Sequence, residues 1–223
     1  MTDAQSIARS AQRITLTAAN WAEAALDAIA ENGIEAVAVE PLARRLGVTK
    51  GSFYWHFTHR EALLHAALEL WERYETADTI ARAESSSDPR ERMHSLFRQL
   101  ANTDQRSERI LLALSGSDHA AARSCVQRVT ECWRSYVEVG YRALGMDATE
   151  ARHWATLAYS TYIGTVRMRR DNPDALPTGS DFNDYLRFLI KTLIPGGVGG
   201  VAGNRDAADL LGTARATGAR LSA

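Results

Sequence analysis

The sequence predicts an all-α fold of about nine helices. Strand signals are nearly absent, because apolar and polar residues do not alternate over any sustained stretch and no hairpin turn joins two strand-like runs. Apolar residues recur instead at the three- and four-residue spacing of amphipathic helices. Residue types that start and stop helices separate these segments.

Four helices are expected in the first part of the chain. Thr17 is expected to cap the first one, and Gly33 supplies its C-terminal stop. The four predicted helices cover about 17–32, 39–46, 50–57 and 60–83.

The clearest break in the pattern is the segment 85–89, where Asp88 is a helix cap and Pro89 fits the first helical turn. Five more helices are predicted at about 89–102, 104–115, 118–144, 148–171 and 180–194. We expect three regions: a helix-turn-helix domain (12–60), a helical effector-binding and dimerisation domain (61–194), and a Gly-rich, flexible tail (195–223).

The composition is close to neutral, with 26 basic and 27 acidic side chains, and 45% of the residues are hydrophobic. This excludes a strongly basic coat but not DNA binding, which needs only a local positive patch. The N-terminus lacks the apolar core of a signal peptide, and no run of about 18 apolar residues predicts a membrane span. We therefore expect a cytoplasmic protein.

The two cysteines, Cys125 and Cys132, lie on one face of a predicted helix, about two turns apart. This distance, roughly 10 Å, is too long for a disulfide. Two reduced, buried thiols are expected, and a redox sensor is the alternative.

A short amphipathic helix, a Gly-Val turn and a second short helix follow one another over residues 38–57. Gly47 can take the positive φ of a sharp turn, and Val48 can fill the angle between the helices. The pattern predicts a helix-turn-helix whose shared core receives Leu42, Leu46, Phe53 and Phe57.

Positive charge is concentrated at this motif. From Arg44 to Arg60 there are four basic residues and no acidic one, whereas residues 1–43 contain two basic and six acidic residues. His56 and His59 are expected to add partial positive charge. The exposed side of the second short helix therefore suits a nucleic acid.

Residues 46–57 (LGVTKGSFYWHF), followed by REALL at 60–64, resemble the signature of TetR/AcrR transcriptional regulators. The match covers about residues 15–66. The resemblance implies a dimeric repressor that binds a palindromic operator in double-stranded DNA and is released by a small-molecule effector. An activator of the same fold remains an alternative.

The resemblance also implies a set of DNA-binding residues. Base reading is assigned to Lys50, Gly51 and Ser52, and phosphate contacts to Thr49, Tyr54, His56 and Arg60. Arg44 either joins this set or lies on an ordinary solvated face, and Trp55 either meets the DNA or covers the domain surface. One departure from the family pattern is Ala38, which stands where Thr or Ser usually caps the second helix and contacts a phosphate.

A dimer surface is expected on the last two helices, because an operator with two-fold symmetry requires two reading helices. The candidate residues are Ala155, Ala158, Tyr162 and Thr165, followed by Phe182, Tyr185, Leu186, Leu189 and Leu193. The alternative is that these residues pack within one protomer.

An apolar effector cavity with aromatic walls is the corresponding expectation for the C-terminal domain. Its candidate lining is Phe97, Leu100, Leu111, Trp133, Tyr136, Trp154 and Tyr159, with plain core packing as the alternative. Acidic residues such as Glu108, Glu131 or Glu138 suit a cationic effector, but the sequence selects none of them. His94, His119 and His153 lack the spacing of metal ligands, so neither a metal nor a cofactor is expected.

The sequence disfavours two other classes of protein. No Gly-rich phosphate loop, nucleophile elbow or paired-carboxylate motif occurs, so an enzyme is not expected. A helical ligand-binding or interaction protein without DNA binding is disfavoured by Lys50, Tyr54 and His56.

Effector binding is expected to shift the population toward dimers whose reading helices no longer fit successive major grooves, about 34–36 Å apart.

Overall fold

A computed structural model describes residues 16–101 and 104–195, except for the side chains of residues 100 and 101. Within these ranges the chain folds into helices without strands, which confirms the all-α class. The helices are α1 (Ala18–Asn32), α2 (Val39–Arg45), α3 (Lys50–Tyr54), α4 (Arg60–Glu75), α5 (Ala77–Ala83), α6 (Pro89–Ala101), α7 (Gln105–Ser115), α8 (Ala120–Ala143), α9 (Ala148–Asp171) and α10 (Gly179–Leu193). The predicted tail lies outside the described residues from position 196 onward.

The helices differ from the sequence prediction in two places. Helix α3, the predicted reading helix, ends at Tyr54 rather than Phe57, and the predicted fourth helix is divided at Thr76 into α4 and α5. At this division the Thr76 hydroxyl donates to the carbonyl of Glu72 (2.6 Å), and the Thr79 hydroxyl donates to that of Tyr74 (2.8 Å). Such side-chain hydrogen bonds to helix carbonyls favour a bend at this place.

Helix starts follow the predicted caps in most cases. Thr17 forms a reciprocal capping box with Asn20, and the Asp88 carboxylate accepts from the backbone N–H of Arg90 at 2.9 Å. His59 has a role that the sequence did not predict, because its Nδ1 accepts from the N–H of Ala62 (3.2 Å) and caps α4.

The turn between α2 and α3 is held by aromatic packing from α1. The ring centroids of Trp21 and Phe53 lie 5.4 Å apart in an edge arrangement, and those of Phe53 and Phe57 lie 5.7 Å apart. Trp21 and Phe53 are fully buried. The predicted core role of Phe53 and Phe57 is therefore confirmed, and α3 is fixed to α1 through its inner face.

Helix α4 connects this N-terminal unit to the remaining helices. It packs against α1 on one side and against α8 on the other. At the second contact, Arg128 Nε donates to Glu72 Oε1 at 2.9 Å. Helices α8 and α9 pack along each other, and α7 packs directly against α1.

The two glycines of the helix-turn-helix allow a matched stability test. Gly47 has φ +67°, a conformation that costs other residues about 1–2 kcal/mol, so Gly47→Ala is expected to lower the free energy of unfolding by about that amount. Gly51→Ala is the control, because its added Cβ meets only Thr49 Oγ1 at an ordinary 3.6 Å. Urea denaturation followed by circular dichroism measures both, and equal losses of stability would refute the role of the Gly47 turn.

Candidate nucleic-acid interface and ligand cavity

The outer face of α3 and the turn that follows it are open to solvent. Trp55 is 87% exposed and Tyr54 is 57% exposed, although both are large aromatic residues. Lys50 and Gly51 are also exposed, and Ser52 and His56 are half-buried. The structure thus brings the predicted base-reading residues and two predicted phosphate contacts to one short segment, anchored from behind by Phe53.

Thr49 and Lys50, at the start of α3, differ in the hydrogen bonds that their side chains make. Thr49 occupies the cap position of α3 but makes no capping hydrogen bond with its side chain. Lys50 is paired across the turn, with its Nζ 2.9 Å from Glu40 Oε1. This hydrogen bond raises the pKa of Lys50, so the side chain stays cationic while it is shared with α2.

The two arginines of α2 have different surroundings. Arg45 donates to both carboxylate oxygens of Glu31 at 2.8 Å, which holds its guanidinium against α1. Arg44 is exposed. Arg45 is thus used within the N-terminal unit, and DNA contact by Arg44 stays a prediction.

Arg60 is engaged inside the N-terminal unit. Its Nε donates to the carbonyl of Val37 at 2.6 Å, and its Nη2 donates to that of Ile34 at 3.1 Å. Glu35 and Glu61 each lie 3.4 Å from the same guanidinium. Arg60 thus ties the segment before α2 to the start of α4, and a phosphate has to share a side chain that already has several partners.

The residues predicted to line an aromatic cavity are mostly packed. Phe97, Leu111 and Trp133 belong to the buried core, while Tyr136, Trp154 and Tyr159 are half-buried against it. The side chain of Leu100 lies outside the described set. Tyr159 uses its hydroxyl in a 2.9 Å hydrogen bond with Thr130.

The structure shows a more polar cavity at another place, which we call the α4–α7 cavity. It has a volume of about 660 Å³, and none of the predicted lining residues whose side chains the structure describes belongs to its wall. The wall is formed by Tyr74, Glu75, Asp78, Thr79, Arg82, Ser95, Arg98, Gln99, Asp104, Arg106 and Ser107. Sequence analysis missed this site, although Glu75 gave a signal: it continues the apolar stripe of Leu64, Leu68 and Trp71 with a carboxylate.

The acidic residues that the sequence offered for a cation are occupied. Glu108 is buried and paired with Arg169. Glu131 pairs with Arg134 at 3.0 Å, and Glu138 lies 3.9 Å from Arg152.

A line of charged residues connects the α4–α7 cavity to the helix-turn-helix. Arg106, in the cavity wall, places Nε 2.6 Å from Asp27 Oδ1 and Nη2 2.6 Å from Glu23 Oε2. The other oxygen of Asp27 lies 3.5 Å from Arg45 Nη2. We call this arrangement of Arg106, Asp27 and Arg45 the Asp27 bridge; the Tyr74 hydroxyl extends it by donating to Glu23.

The predicted dimer residues fall into two groups. Ala155, Ala158 and Thr165 are buried within the protomer, so the small face of α9 is already covered. The second group, which is only half-buried, consists of Tyr162, Phe182, Tyr185, Leu186 and Leu189, whereas Leu193 is buried like the first group.

Large apolar side chains are exposed beside this stripe. Phe188 on α10 is 63% exposed, and Leu157 and Met168 on α9 are also exposed. A groove between the two helices is lined in part by Ala158, Tyr162, Leu186 and Leu189.

Both cysteines are free thiols. Burial raises the pKa of Cys125 to about 12, and the nearby Glu72 adds to this effect. A thiol in this state is a poor nucleophile.

No helix within the described ranges is long and apolar enough to cross a membrane.

Comparison with known proteins gives consistent matches. A model described as "Bacterial regulatory proteins, tetR family" matches residues 22–67. The HTH-type transcriptional regulator TtgR of Pseudomonas putida is 34% identical over 199 residues, which is 81% of this chain and 92% of the relative. The tetracycline repressor protein class A from transposon 1721 of Escherichia coli is 46% identical over 46 residues, 21% of each chain.

A solved structure of a TetR transcriptional regulator from Legionella pneumophila has a TM-score of 0.67 to this chain at 17% identity. The match covers 82% of this chain and 100% of the other, and it shows the likeness of the fold.

The contrast between Arg60 and Arg44 leads to a prediction about stability. Arg60→Ala removes charged donors from two backbone carbonyls and is expected to lower the free energy of unfolding by about 1.5–3 kcal/mol. Arg44→Ala is expected to change it by less than about 0.5 kcal/mol, as is usual for a surface substitution. Urea denaturation of both variants measures the difference. Equal stabilities would show that the Arg60 contacts contribute nothing to folding.

Proposed function

The chain belongs to the TetR family of bacterial regulatory proteins, and on this premise we propose that it is a ligand-responsive transcriptional repressor. In this proposal it binds a palindromic operator as a dimer and leaves it when a small-molecule effector binds. The supporting observation is the short segment 50–56, whose inner face is locked by Phe53 while Lys50, Tyr54 and Trp55 extend into solvent. Large exposed aromatics beside a lysine suit a groove and its phosphates.

Within this surface we assign separate roles. Lys50, Gly51 and Ser52 read base edges in the major groove, and Thr49, Tyr54 and His56 hold the phosphates on either side. Arg44 adds a phosphate contact from α2, and Arg60 acts mainly by fixing the segment before that helix.

The Lys50–Glu40 pair makes the DNA contact testable. Lys50→Ala is expected to weaken operator binding at least tenfold and to relax sequence preference. It is also expected to reduce the slope of the logarithm of the binding constant against the logarithm of the salt concentration by about one. Glu40→Gln is expected to strengthen binding several-fold, because it frees Lys50 and removes a negative charge near the DNA. Fluorescence anisotropy with an operator selected from random DNA, over a range of salt concentrations, measures both.

Glu69→Gln is the charge-matched control for Glu40→Gln, since Glu69 is exposed on α4. Unchanged affinity and salt slope in Lys50→Ala would contradict the assignment. A reporter gene behind the selected operator separates the two modes of regulation: lower expression supports a repressor, and higher expression indicates an activator.

Dimerisation is proposed through the exposed faces of α9 and α10. The alanines expected to form the contact are buried within the protomer. The exposed Phe188, Leu157 and Met168 and the groove between the two helices remain for a second copy of the chain. This interface lies in the part of the chain that does not read DNA, so it can set the spacing of two reading helices.

Phe188→Asp is expected to convert the dimer to a monomer at micromolar concentration, because it places a charge in an apolar contact. Operator affinity is expected to fall with it. Sedimentation velocity measures the oligomeric state, and Val139→Asp on α8, an equally exposed apolar position, is the control. A Phe188→Asp protein that remains dimeric would place the interface elsewhere.

We assign effector binding to the α4–α7 cavity. Its volume of about 660 Å³ lies within the range of roughly 300–1,000 Å³ found for small-molecule sites. Its wall includes Arg106, which contacts α1 directly. A ligand in this cavity therefore contacts a residue that is bonded to α1, the helix against which α3 packs.

A further inference from the structure

The α4–α7 cavity contains a carboxyl group without a cationic partner. Glu75 is half-buried and forms no salt bridge with a described residue; the neighbours that favour its charged form are the guanidinium of Arg82 and the indole N–H of Trp71. The Trp71 N–H is buried and has no hydrogen-bond partner with ordinary geometry. A buried donor beside a carboxylate thus has unmet bonding capacity, which is costly in a native protein.

Arg106 and Arg82, in the cavity wall, do not meet this need. Arg106 is paired with Glu23 and Asp27 on α1. Arg82 is exposed and donates to the neutral side chains of Gln99 and Thr79, at 2.8 Å each. Both guanidiniums are thus hydrogen-bonded to other groups, although the charge of Arg82 still favours the ionised form of Glu75 and that of Asp104 opposes it. Arg98, the third arginine of the wall, donates to the carbonyl of His94 at 3.4 Å.

We propose that the α4–α7 cavity binds an organic cation with N–H donors, an amidinium or an ammonium, and that Glu75 pairs with its charged nitrogen. This inference rests on the proposed function, because it names the chemical class of the effector. Pairing with Glu75 in a partly water-excluded site is stronger than at the surface, since the effective dielectric constant is lower there. The cavity volume leaves room for an apolar body attached to the cationic group.

The ionisation of Glu75 is linked to this binding. Burial raises the pKa of Glu75 to about 7, and the charge of Asp104 adds to the rise. A cation requires the carboxylate form, so its binding releases a proton and its affinity rises as the pH rises through 7. The charged and titratable groups that face Glu75 or its cavity are Asp78 and Arg82 on α5, Arg98 on α6, Asp104 and Arg106 at α7, Tyr74 on α4 and Tyr159 on α9.

The Asp27 bridge gives the cation a route to the DNA-binding surface. A positive charge in the cavity repels the Arg106 guanidinium, which lines the same wall, toward α1. The displaced guanidinium moves Asp27, whose other carboxylate oxygen lies 3.5 Å from Arg45 Nη2 on α2. Because α3 is fixed to α1 through Trp21 and Phe53, a shift of α1 moves the reading helix.

The test compares two ligands of the same shape and opposite charge, 2-naphthamidine and 2-naphthoate, by titration calorimetry at pH 8. The amidine is expected to bind at least tenfold more tightly. Glu75→Gln keeps the size of the side chain and is expected to abolish this preference, whereas Glu69→Gln, exposed on the same helix, is expected to retain it. Equal binding of the two ligands, or a preference that survives Glu75→Gln, would overturn the proposal.

The pH dependence is a second readout. Between pH 6 and pH 8 the affinity for 2-naphthamidine, which stays protonated over this range, is expected to rise about tenfold, as a carboxyl pKa near 7 requires. Glu75→Gln is expected to remove this dependence. Circular dichroism checks that the variant is folded, and a pH dependence that persists in the folded variant would assign the titration to another group.

Operator binding separates this inference from the function on which it rests. If the unliganded protein binds its selected operator but does not prefer the amidine, only the effector class is wrong. If it binds no operator, the proposed function fails independently of the cavity. Asp27→Asn is expected to bind the amidine normally while losing at least threefold of its effect on operator affinity, and an undiminished effect would exclude the Asp27 bridge as the route.

Discussion

The packing of α1 between α3 and the rest of the molecule is the constraint on which the structure depends. One face of α1 is apolar and buried, and Trp21 on it fixes α3 through Phe53. Another face carries Glu23, Asp27 and Glu31, spaced four residues apart and therefore aligned along the helix. A helix with two such faces cannot move relative to α7 without rearranging charges, nor relative to α3 without opening the aromatic core.

The acidic face of α1 accounts for part of the acidic excess near the start of the sequence. The acidic excess of residues 1–43 suggests a surface that repels DNA, yet the three aligned carboxylates on α1 are matched by Arg45 and Arg106. The same pairing removes Arg45 from the cations available to DNA. With Lys50 shared with Glu40, the remaining positive charge is modest, so the proposed operator binding has to draw on aromatic contacts and on two copies of the motif.

The sequence predicted local structure well and long-range contacts poorly. Caps, the Gly47 turn and the burial of Phe53 depend on neighbouring residues, so the all-α class and most helix boundaries were predictable. The apolar faces of α8 and α9 look the same whether they line a cavity or pack on each other, so the predicted effector site was assigned to residues such as Trp133 that the structure buries. The pairing of Arg106 with Asp27, 79 residues apart in sequence, has no local signature.

The coupling free energy proposed between the cavity and α3 is larger than one exposed ion pair provides, so several contacts have to contribute to it. One exposed ion pair contributes about 0.2–1 kcal/mol, whereas coupling between an effector site and a DNA site typically requires about 1–3 kcal/mol. In the proposed route Arg106, Glu23, Asp27, Arg45 and Tyr74 are joined by several such contacts, so no single ion pair has to supply the whole coupling. Asp27 is the member that faces a different cation with each of its oxygens. Its loss therefore divides the network into two parts without removing apolar packing, which makes it the position where coupling and folding can be separated.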